Sequence, residues 1–373
     1  MNEDKATRYH RLKRRARLLS LVWSVALLGG LSWSGWSTIL RAAAESAAGL
    51  LAPAAWNTGL SVIVFVAALI VIHDLGGLPM AAYGGFLLER RYGLSNEPFR
   101  GWLKDELKSL ALVLPLGAVG ASVVYFFIRL SAEWWWLPAG TIFALLIVGL
   151  TNLGPVLLLP LFYRVRPLDR EALRARLLAL ADRAGARVIG AYEWGMSGKT
   201  RKANAALAGL GGTRRILVSD TMLAEYSDEE IEIVLAHELA HHVHGDVWKG
   251  LVFEAALVLA GFFCAARVLE ASVARVGLHG PSDVAGLPLL LLAAGAVSLA
   301  MLPVAHALSR AYERSADRFA LELTENPAAF ISAMRRLGAQ NLAEEQPSKV
   351  ITWLFHSHPP IRERIAAAQA FKA

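Results

Sequence analysis

The segment GLSVIVFVAALIVIHDLGGLPMAAY, residues 59–83, contains one acidic residue and no Lys or Arg. An α-helix rises about 1.5 Å per residue, so a run of this length can cross the roughly 30 Å hydrocarbon core of a bilayer. Other stretches of the chain have the same composition. The segment therefore predicts a membrane protein whose spans are helical.

The composition of the whole chain supports this fold class. Hydrophobic residues make up 55% of the 373 residues, and the mean hydropathy is +0.43, which is too apolar for an ordinary soluble protein. The predicted spans are Leu18–Leu40, Gly59–Tyr83, Leu107–Leu130, Trp134–Tyr163, Gly250–Ala271 and Leu287–Leu308. The sequence thus predicts a mainly α, polytopic bundle of six membrane helices.

Two of these spans allow another interpretation. The fourth is long and contains Pro155 and Pro160, which lack amide donors and bend or end a helix, so a seventh crossing there is the alternative. The first could be a cleaved signal peptide, because the small residues Ala42, Ala43 and Ala44 follow its apolar core.

Basic residues predict the orientation in the membrane. Seven of them precede the first span, whereas the segment after it has only Arg41. Under the positive-inside rule the N-terminus faces the cytoplasm, residues 164–187 return to that side, and the turn at 277–283 lies outside. The alanine and arginine content favours a bacterial inner membrane.

The distribution of the net charge of +7 argues against a nucleic-acid-binding protein, and the single cysteine excludes an intramolecular disulfide. No basic cluster is interleaved with aromatic residues, so we expect the Lys and Arg side chains to anchor the chain in a lipid bilayer and predict no nucleic-acid partner. Cys264 lies in a predicted span and has no second cysteine to pair with.

Four regions follow from this pattern: a membrane region 1–163 with four spans, a water-facing part 164–249, two further spans in 250–308, and a second water-facing part 309–373. The two water-facing parts predict one small α+β domain. Within it, Leu173, Leu177 and Leu180 predict an amphipathic helix over 169–184. Residues 204–210 and 213–219 flank Gly211-Gly212 and predict a β-hairpin.

The pentapeptide His237-Glu238-Leu239-Ala240-His241 suggests the chemistry of this domain. On a helix its two histidines are one turn apart on one face and can bind one metal ion, and zinc prefers such imidazole ligands. Glu238 lies off that face and suits a general base for a zinc-activated water. Ser227 and Glu230 predict the capping box that starts the helix.

A third ligand must come from another segment, and Glu313 is the best candidate. Asp317 follows it by one helical turn, so Glu313 can bind the metal while Asp317 orients a ligating histidine. An exposed acidic pair at i,i+4 spacing is the alternative interpretation.

With these residues the chain resembles a known family, the type I CAAX prenyl endopeptidases. The similarity is carried by the following motifs: Val234–His241, Ser309-Arg310-x-x-Glu313-x-x-x-Asp317, Ser357-His358-Pro359-Pro360 with Glu363-Arg364, and Glu89-Arg90-Arg91-Tyr92-Gly93 before Lys104-Asp105. It covers nearly the whole chain.

The resemblance implies an endoprotease that removes the C-terminal tripeptide of prenylated proteins, and a ring of membrane helices that encloses a chamber. The implied roles are zinc ligand for His237, His241 and Glu313, base for Glu238, oxyanion stabilisation for His358 and Arg364, and a substrate-binding edge strand at Asn204 and Ala205. A turn role for His358 and a purely structural hairpin are the alternatives.

Three residues depart from the family pattern. Ala240 and Asp246 stand where the family often has Gly and His, and His306 stands where Asn is usual. On a helix His306 shares a face with Glu313. It is therefore a candidate to contact a ligand residue without binding the metal itself, and a purely structural use is the alternative.

Three functions therefore compete at the level of sequence. The first is a membrane zinc endopeptidase similar to CAAX prenyl proteases, acting on a peptide or protein substrate with or without a prenyl group. The second is a membrane protein quality-control protease similar to HtpX, and the third is a catalytically silent scaffold. The sequence leaves the natural substrate and the oligomeric state open.

Overall fold

The architecture is that of a computed structural model, which describes residues 4–51, 53–209 and 214–372. The N-terminal helices are α1 (Lys5–Ser34), α2 (Trp36–Leu51), α3 (Ala54–Ala81), α4 (Leu88–Arg91), α5 (Phe99–Leu130), α6 (Trp136–Leu157) and α7 (Leu159–Phe162). The π-helical segment Ala82–Leu87 joins α3 to α4.

A small α+β region and two long helices follow. Its elements are β1 (Arg164–Pro167), α8 (Glu171–Arg183), β2 (Gly190–Gly195), β3 (Ala205–Ala208), β4 (Arg215–Ser219), α9 (Asp220–Glu225) and α10 (Asp228–Val243). The remaining elements are α11 (Asp246–Ser272), the 3₁₀ turn Val284–Gly286, α12 (Leu287–Thr324), α13 (Pro327–Gln340), α14 (Lys349–Phe355) and α15 (Ile361–Ala370).

Six helices of the described chain are long and apolar enough to cross a membrane, which confirms the predicted number. They are Lys5–Ser34, Ala54–Arg91, Phe99–Leu130, Trp136–Gly154, Asp246–Ser272 and Val284–Thr324. The run at 134–163 holds one crossing, since the helix after Leu157 continues only as the four-residue α7.

The first predicted span extends past the end of its helix. Gly35 adopts the left-handed conformation (φ 81°), which ends α1, and the chain restarts as α2. Ser37 donates a 2.6 Å hydrogen bond to the Ala285 carbonyl, and Arg41 forms an ion pair with Asp283. These contacts place α2 against the connection between α11 and α12.

The water-facing part contains a four-stranded sheet in the order β1-β2-β4-β3. Strands β3 and β4 pair antiparallel, with Ala205 opposite Val218, which confirms the two strands of the predicted hairpin. Its predicted turn residues, Gly211 and Gly212, lie outside the described residues. The sequence analysis missed β1 and β2, and β2 pairs parallel with β4.

The core of this part lies between α8, the sheet and α10. As predicted, Leu173, Leu177 and Leu180 lie on one buried face of a helix. Gly185 follows the helix in the left-handed conformation. The cluster also contains Leu235 of α10, which is fully buried. Burial of one such side chain contributes about 1.5–3 kcal/mol, so this core fixes α10 against the sheet.

The loop between α4 and α5 is hydrogen-bonded to the segment that precedes β3. Asn96 N donates to the Lys199 carbonyl and Arg201 N to the Leu94 carbonyl, both at 3.0 Å. Lys199 also forms an ion pair with Asp105. The region that carries the spans is therefore bonded directly to the sheet of the water-facing part.

Candidate metal centre

The helix α10 begins as its sequence predicts. Ser227 Oγ accepts a hydrogen bond from Glu230 N at 3.2 Å, and the Glu230 carboxylate accepts one from Ser227 N at 2.9 Å. Fully buried Ile231 and Leu239 then hold one face of the helix in the core. The capping box therefore fixes where the helix begins, and the buried residues fix its rotation about its own axis. The face with His237 and His241 is positioned as a result.

Three side chains converge at that face. The rings of His237 and His241 are 5.0 Å apart, and Glu313 reaches them from α12. Glu313 Oε2 is 3.2 Å from His237 Nε2, and its Oε1 is 3.6 Å from His241 Nε2. One potential ligand atom from each residue lies within 4.8 Å of the other two.

This set fits a metal ion. Two imidazole nitrogens and a carboxylate oxygen are metal donors, and within the described structure Glu313 Oε2 is buried without a hydrogen bond. Burial lowers the pKa of His237, but its contacts with Asp317 and Glu313 outweigh burial and raise the pKa to about 9. The surroundings of His237 therefore favour a positive charge, which a metal ion supplies.

Each histidine is held from behind by its own carboxylate. Asp317 Oδ1 lies 2.9 Å from His237 Nδ1, as the sequence predicted for this aspartate. Asp246 Oδ2 lies 3.1 Å from His241 Nδ1, a partner that the sequence analysis missed. Both contacts leave Nε2 to face Glu313 and fix the orientation of the rings.

Glu238 is half-buried beside the two histidines. Burial raises the pKa of its carboxyl above the ordinary value, and the charges of His237 and His241 oppose this rise. A raised pKa makes a carboxylate a better proton acceptor near neutral pH. The role of base expected for this residue stays a prediction.

His358 reaches the site from the loop after α14. Its Nδ1 is 2.9 Å from Glu313 Oε1, and its side chain is 63% exposed. Buried Arg310 fixes this loop, since its Nη1 donates to the carbonyls of Thr352 and His356 at 3.0 and 2.7 Å. An exposed imidazole beside the ligands is available to a bound substrate.

Arg364, for which the resemblance implies oxyanion stabilisation, contacts a ligand histidine and the aspartate behind it. Its Nε donates to Asp317 Oδ2 at 2.8 Å and its Nη2 to Asp317 Oδ1, and Nη2 is 3.3 Å from His237 Nδ1. These contacts place Arg364 on the side of His237 that faces away from Glu313. There it binds Asp317, the carboxylate that orients His237.

The other predicted site residues have different surroundings. His306 of α12 lies near the backbone of Trp353 and Leu354 in α14, and its Nδ1 is buried without a hydrogen-bond partner among the described residues. The Asn204 carbonyl accepts a 2.9 Å hydrogen bond from Ser219 N of β4, and Asn204 N donates to the Ser219 hydroxyl at 3.0 Å. Ala205 starts β3, which is the terminal strand of the sheet order and therefore an edge.

Six apolar helices and a three-ligand site beside a helical glutamate define the class of a membrane-embedded metallopeptidase. Comparison with known proteins agrees. Residues 167–372 match the model of peptidase family M48, and residues 2–164 match that of the CAAX prenyl protease N-terminal domain with five membrane helices. Over those residues the described structure has four long apolar helices and the shorter α2.

The chain belongs to peptidase family M48. It is 32% identical over 314 residues to the uncharacterized metalloprotease YhfN of Bacillus subtilis, which covers 83% of this chain and 74% of that protein. It is 29% identical over 196 residues to CAAX prenyl protease 1 of Saccharomyces cerevisiae, which covers 51% of this chain and 42% of that protein.

The fold is also that of a solved structure. The crystal structure of S. mikatae Ste24p superposes with a TM-score of 0.83 at 23% identity, covering 98% of this chain and 87% of that one. The protein is thus a multi-pass membrane metalloprotease that resembles CAAX prenyl proteases, and the hypothesis of an HtpX-like protease is not favoured.

Proposed function

We propose that this protein is a zinc endopeptidase that removes the C-terminal tripeptide of prenylated proteins. The observation that carries the proposal is the convergence of His237, His241 and Glu313 with Glu238 beside them. Two neutral imidazoles and one carboxylate are a common donor set of catalytic zinc in proteases. The resemblance to CAAX prenyl proteases supports the choice of substrate.

The residues of the chain divide the reaction between them. Zinc, when bound, supplies a Lewis acid that lowers the pKa of water to about 7. Glu238 accepts the proton of the attacking water and returns it to the leaving amine. His358 donates a hydrogen bond to the oxygen that becomes negative as the carbonyl is attacked. Asp317 and Asp246 keep the two imidazoles oriented throughout.

The edge strand β3 suits an extended substrate. The Asn204 carbonyl accepts a hydrogen bond from Ser219 N. Hydrogen-bonded positions alternate along an antiparallel ladder, so Ala205 and Leu207 direct their N–H and C=O groups away from β4. A peptide that adds to this edge bonds to those groups. We infer that Ala205 supplies main-chain hydrogen bonds and that the exposed side chain of Asn204 contacts the substrate.

The test is the substitution Glu238→Gln, with zinc content and cleavage measured side by side. Glutamine keeps the volume of the side chain but accepts no proton, so we expect retained zinc and a fall in kcat of at least about 10²-fold. Glu232→Gln on the same helix is the matched control. Near-normal cleavage with retained zinc would contradict the assigned base.

Matched peptides with and without a farnesylated cysteine test the substrate. We expect chelator-sensitive cleavage that favours the farnesylated peptide. Equal rates for both would show a broader protease, and no zinc-dependent cleavage of either would contradict the proposed activity.

We further propose that the site faces the cytoplasm. Lys and Arg are frequent before the first span and over residues 164–187, on the side of the bundle that carries the metal centre. A reporter protein fused after Gly190 should behave as cytoplasmic. Periplasmic alkaline phosphatase activity of that fusion would reverse the orientation.

A further inference from the structure

A basic cleft of about 520 Å³ lies next to the metal centre. His358 and Arg364 are among its lining residues, together with four further Lys or Arg side chains. The four are Lys13, Arg14 and Arg17 of α1 and Lys202, which precedes β3. The membrane helix α1 therefore contributes directly to the surroundings of the active site.

The charges of this cleft do not cancel. Lys13 and Lys202 share one carboxylate, Glu89, and Lys202 Nζ is 2.8 Å from Glu89 Oε2. Arg14 pairs with buried Glu344 at 2.6 Å. Arg17 is exposed, and no salt bridge of it is found among the residues that the structure describes. Four cations against these two carboxylates leave two positive charges, which suits a bound anion.

The direction of β3 indicates which part of a substrate reaches the cleft. Antiparallel pairing is the commoner kind, and a peptide that pairs antiparallel with β3 has its C-terminal end beside the residues that precede the strand. Lys202 is three residues before Ala205, and three residues of extended chain span about 10 Å. A tripeptide beyond a scissile bond near Ala205 therefore ends at Lys202.

We propose that this cleft binds the α-carboxylate at the C-terminus of the peptide substrate. The inference rests on the proposed tripeptide cleavage and adds its specificity determinants, Arg17 and Lys202. Binding the terminal carboxylate at a fixed distance from Glu238 sets the cut three residues from the chain end. A lipid headgroup is also anionic, but the cleft opens beside His358 and at the start of the substrate strand, which favours the peptide.

Binding to the zinc-loaded Glu238→Gln protein in nanodiscs tests this separately from catalysis. The probes are two fluorescent farnesylated peptides of one sequence, one with a free C-terminal carboxylate and one with a C-terminal amide. Hydrogen bonds between charged groups support at least about tenfold tighter binding of the acid. Arg17→Gln and Lys202→Gln, each added to this protein, should reduce that preference severalfold.

Arg187→Gln is the matched control, because Arg187 is exposed and outside the cleft lining. It should leave the preference unchanged. Equal binding of acid and amide would overturn the proposal, as would a preference that both cleft variants retain. Loss of co-purified phosphatidylglycerol in those variants, with acid and amide bound equally, would assign the cleft to lipid instead. Preference for the acid in a wild type that cleaves neither peptide would refute the activity and keep the binding site.

Discussion

The two halves of the metal centre are supported in different ways. His237 is buried, and its partner Asp317 is held by two bonds from Arg364, whose side chain is only 10% exposed. His241 is more exposed, and its partner Asp246 is held by Lys249, whose side chain is 53% exposed. Solvent screens the second arrangement, so the His237 half should carry most of the preorganisation of the site.

The largest loss of zinc binding is expected when Glu313, the ligand that the two halves share, is replaced. Glu313→Ala should abolish stable zinc binding, because a site with three protein ligands has no spare donor and this carboxylate faces both histidines. Metal content of the purified protein by mass spectrometry is the measurement. Glu322→Ala, an exposed position of the same helix, should keep its zinc. Full zinc occupancy in Glu313→Ala would disprove its role as ligand.

A smaller effect compares the two orienting carboxylates. Asp317→Ala and Asp246→Ala should both weaken zinc binding within the roughly 10- to 100-fold range typical of groups behind a ligand. Asp317→Ala should be the more damaging, because it also leaves the guanidinium of Arg364, which is largely shielded from solvent, without its carboxylate. Zinc affinity by competition with a chromophoric chelator measures both. A larger loss in Asp246→Ala would reverse the assigned order of the halves.

The smallest effect concerns the two cations that hold the orienting carboxylates, Arg364 and Lys249. Arg364→Gln should weaken zinc binding severalfold, whereas Lys249→Gln should change it by less than about threefold, since exposed ion pairs contribute little. Repeating the titration in high salt sharpens the test. Salt should reduce the difference between wild type and Lys249→Gln, and equal effects of the two substitutions would remove the contrast between the halves.

The sequence predicted the parts of the molecule that depend on local pattern. Long apolar runs predicted the six spans, and helical spacing placed His237 and His241 on one face. Asp246 was missed because five residues along a continuous helix would place it away from His241. The left-handed Gly245 (φ 68°) ends α10 and turns the chain so that Asp246 starts the next helix beside that ring.

Contacts between distant segments were also beyond the sequence pattern. The Glu89 motif was recognised only as a likeness, whereas the structure shows its carboxylate between Lys13 and Lys202. The ion pair of Arg364 with Asp317 was not predicted either, because spacing along the chain does not show which carboxylate a guanidinium will meet. Gly35, likewise, gave no sign in an apolar run that it would end α1.

The ligands of the metal centre are separated in the chain by the helical hairpin of α11 and α12. His237 and His241 precede α11, whereas Glu313 lies near the far end of the 38-residue α12. A ribosome therefore makes the two histidines well before the glutamate, and Glu313 can meet them only when α11 and α12 have been inserted in the membrane as a hairpin. The nascent protein has no complete metal site until that insertion is finished, so biosynthesis itself delays proteolytic activity until the chain is seated in its membrane.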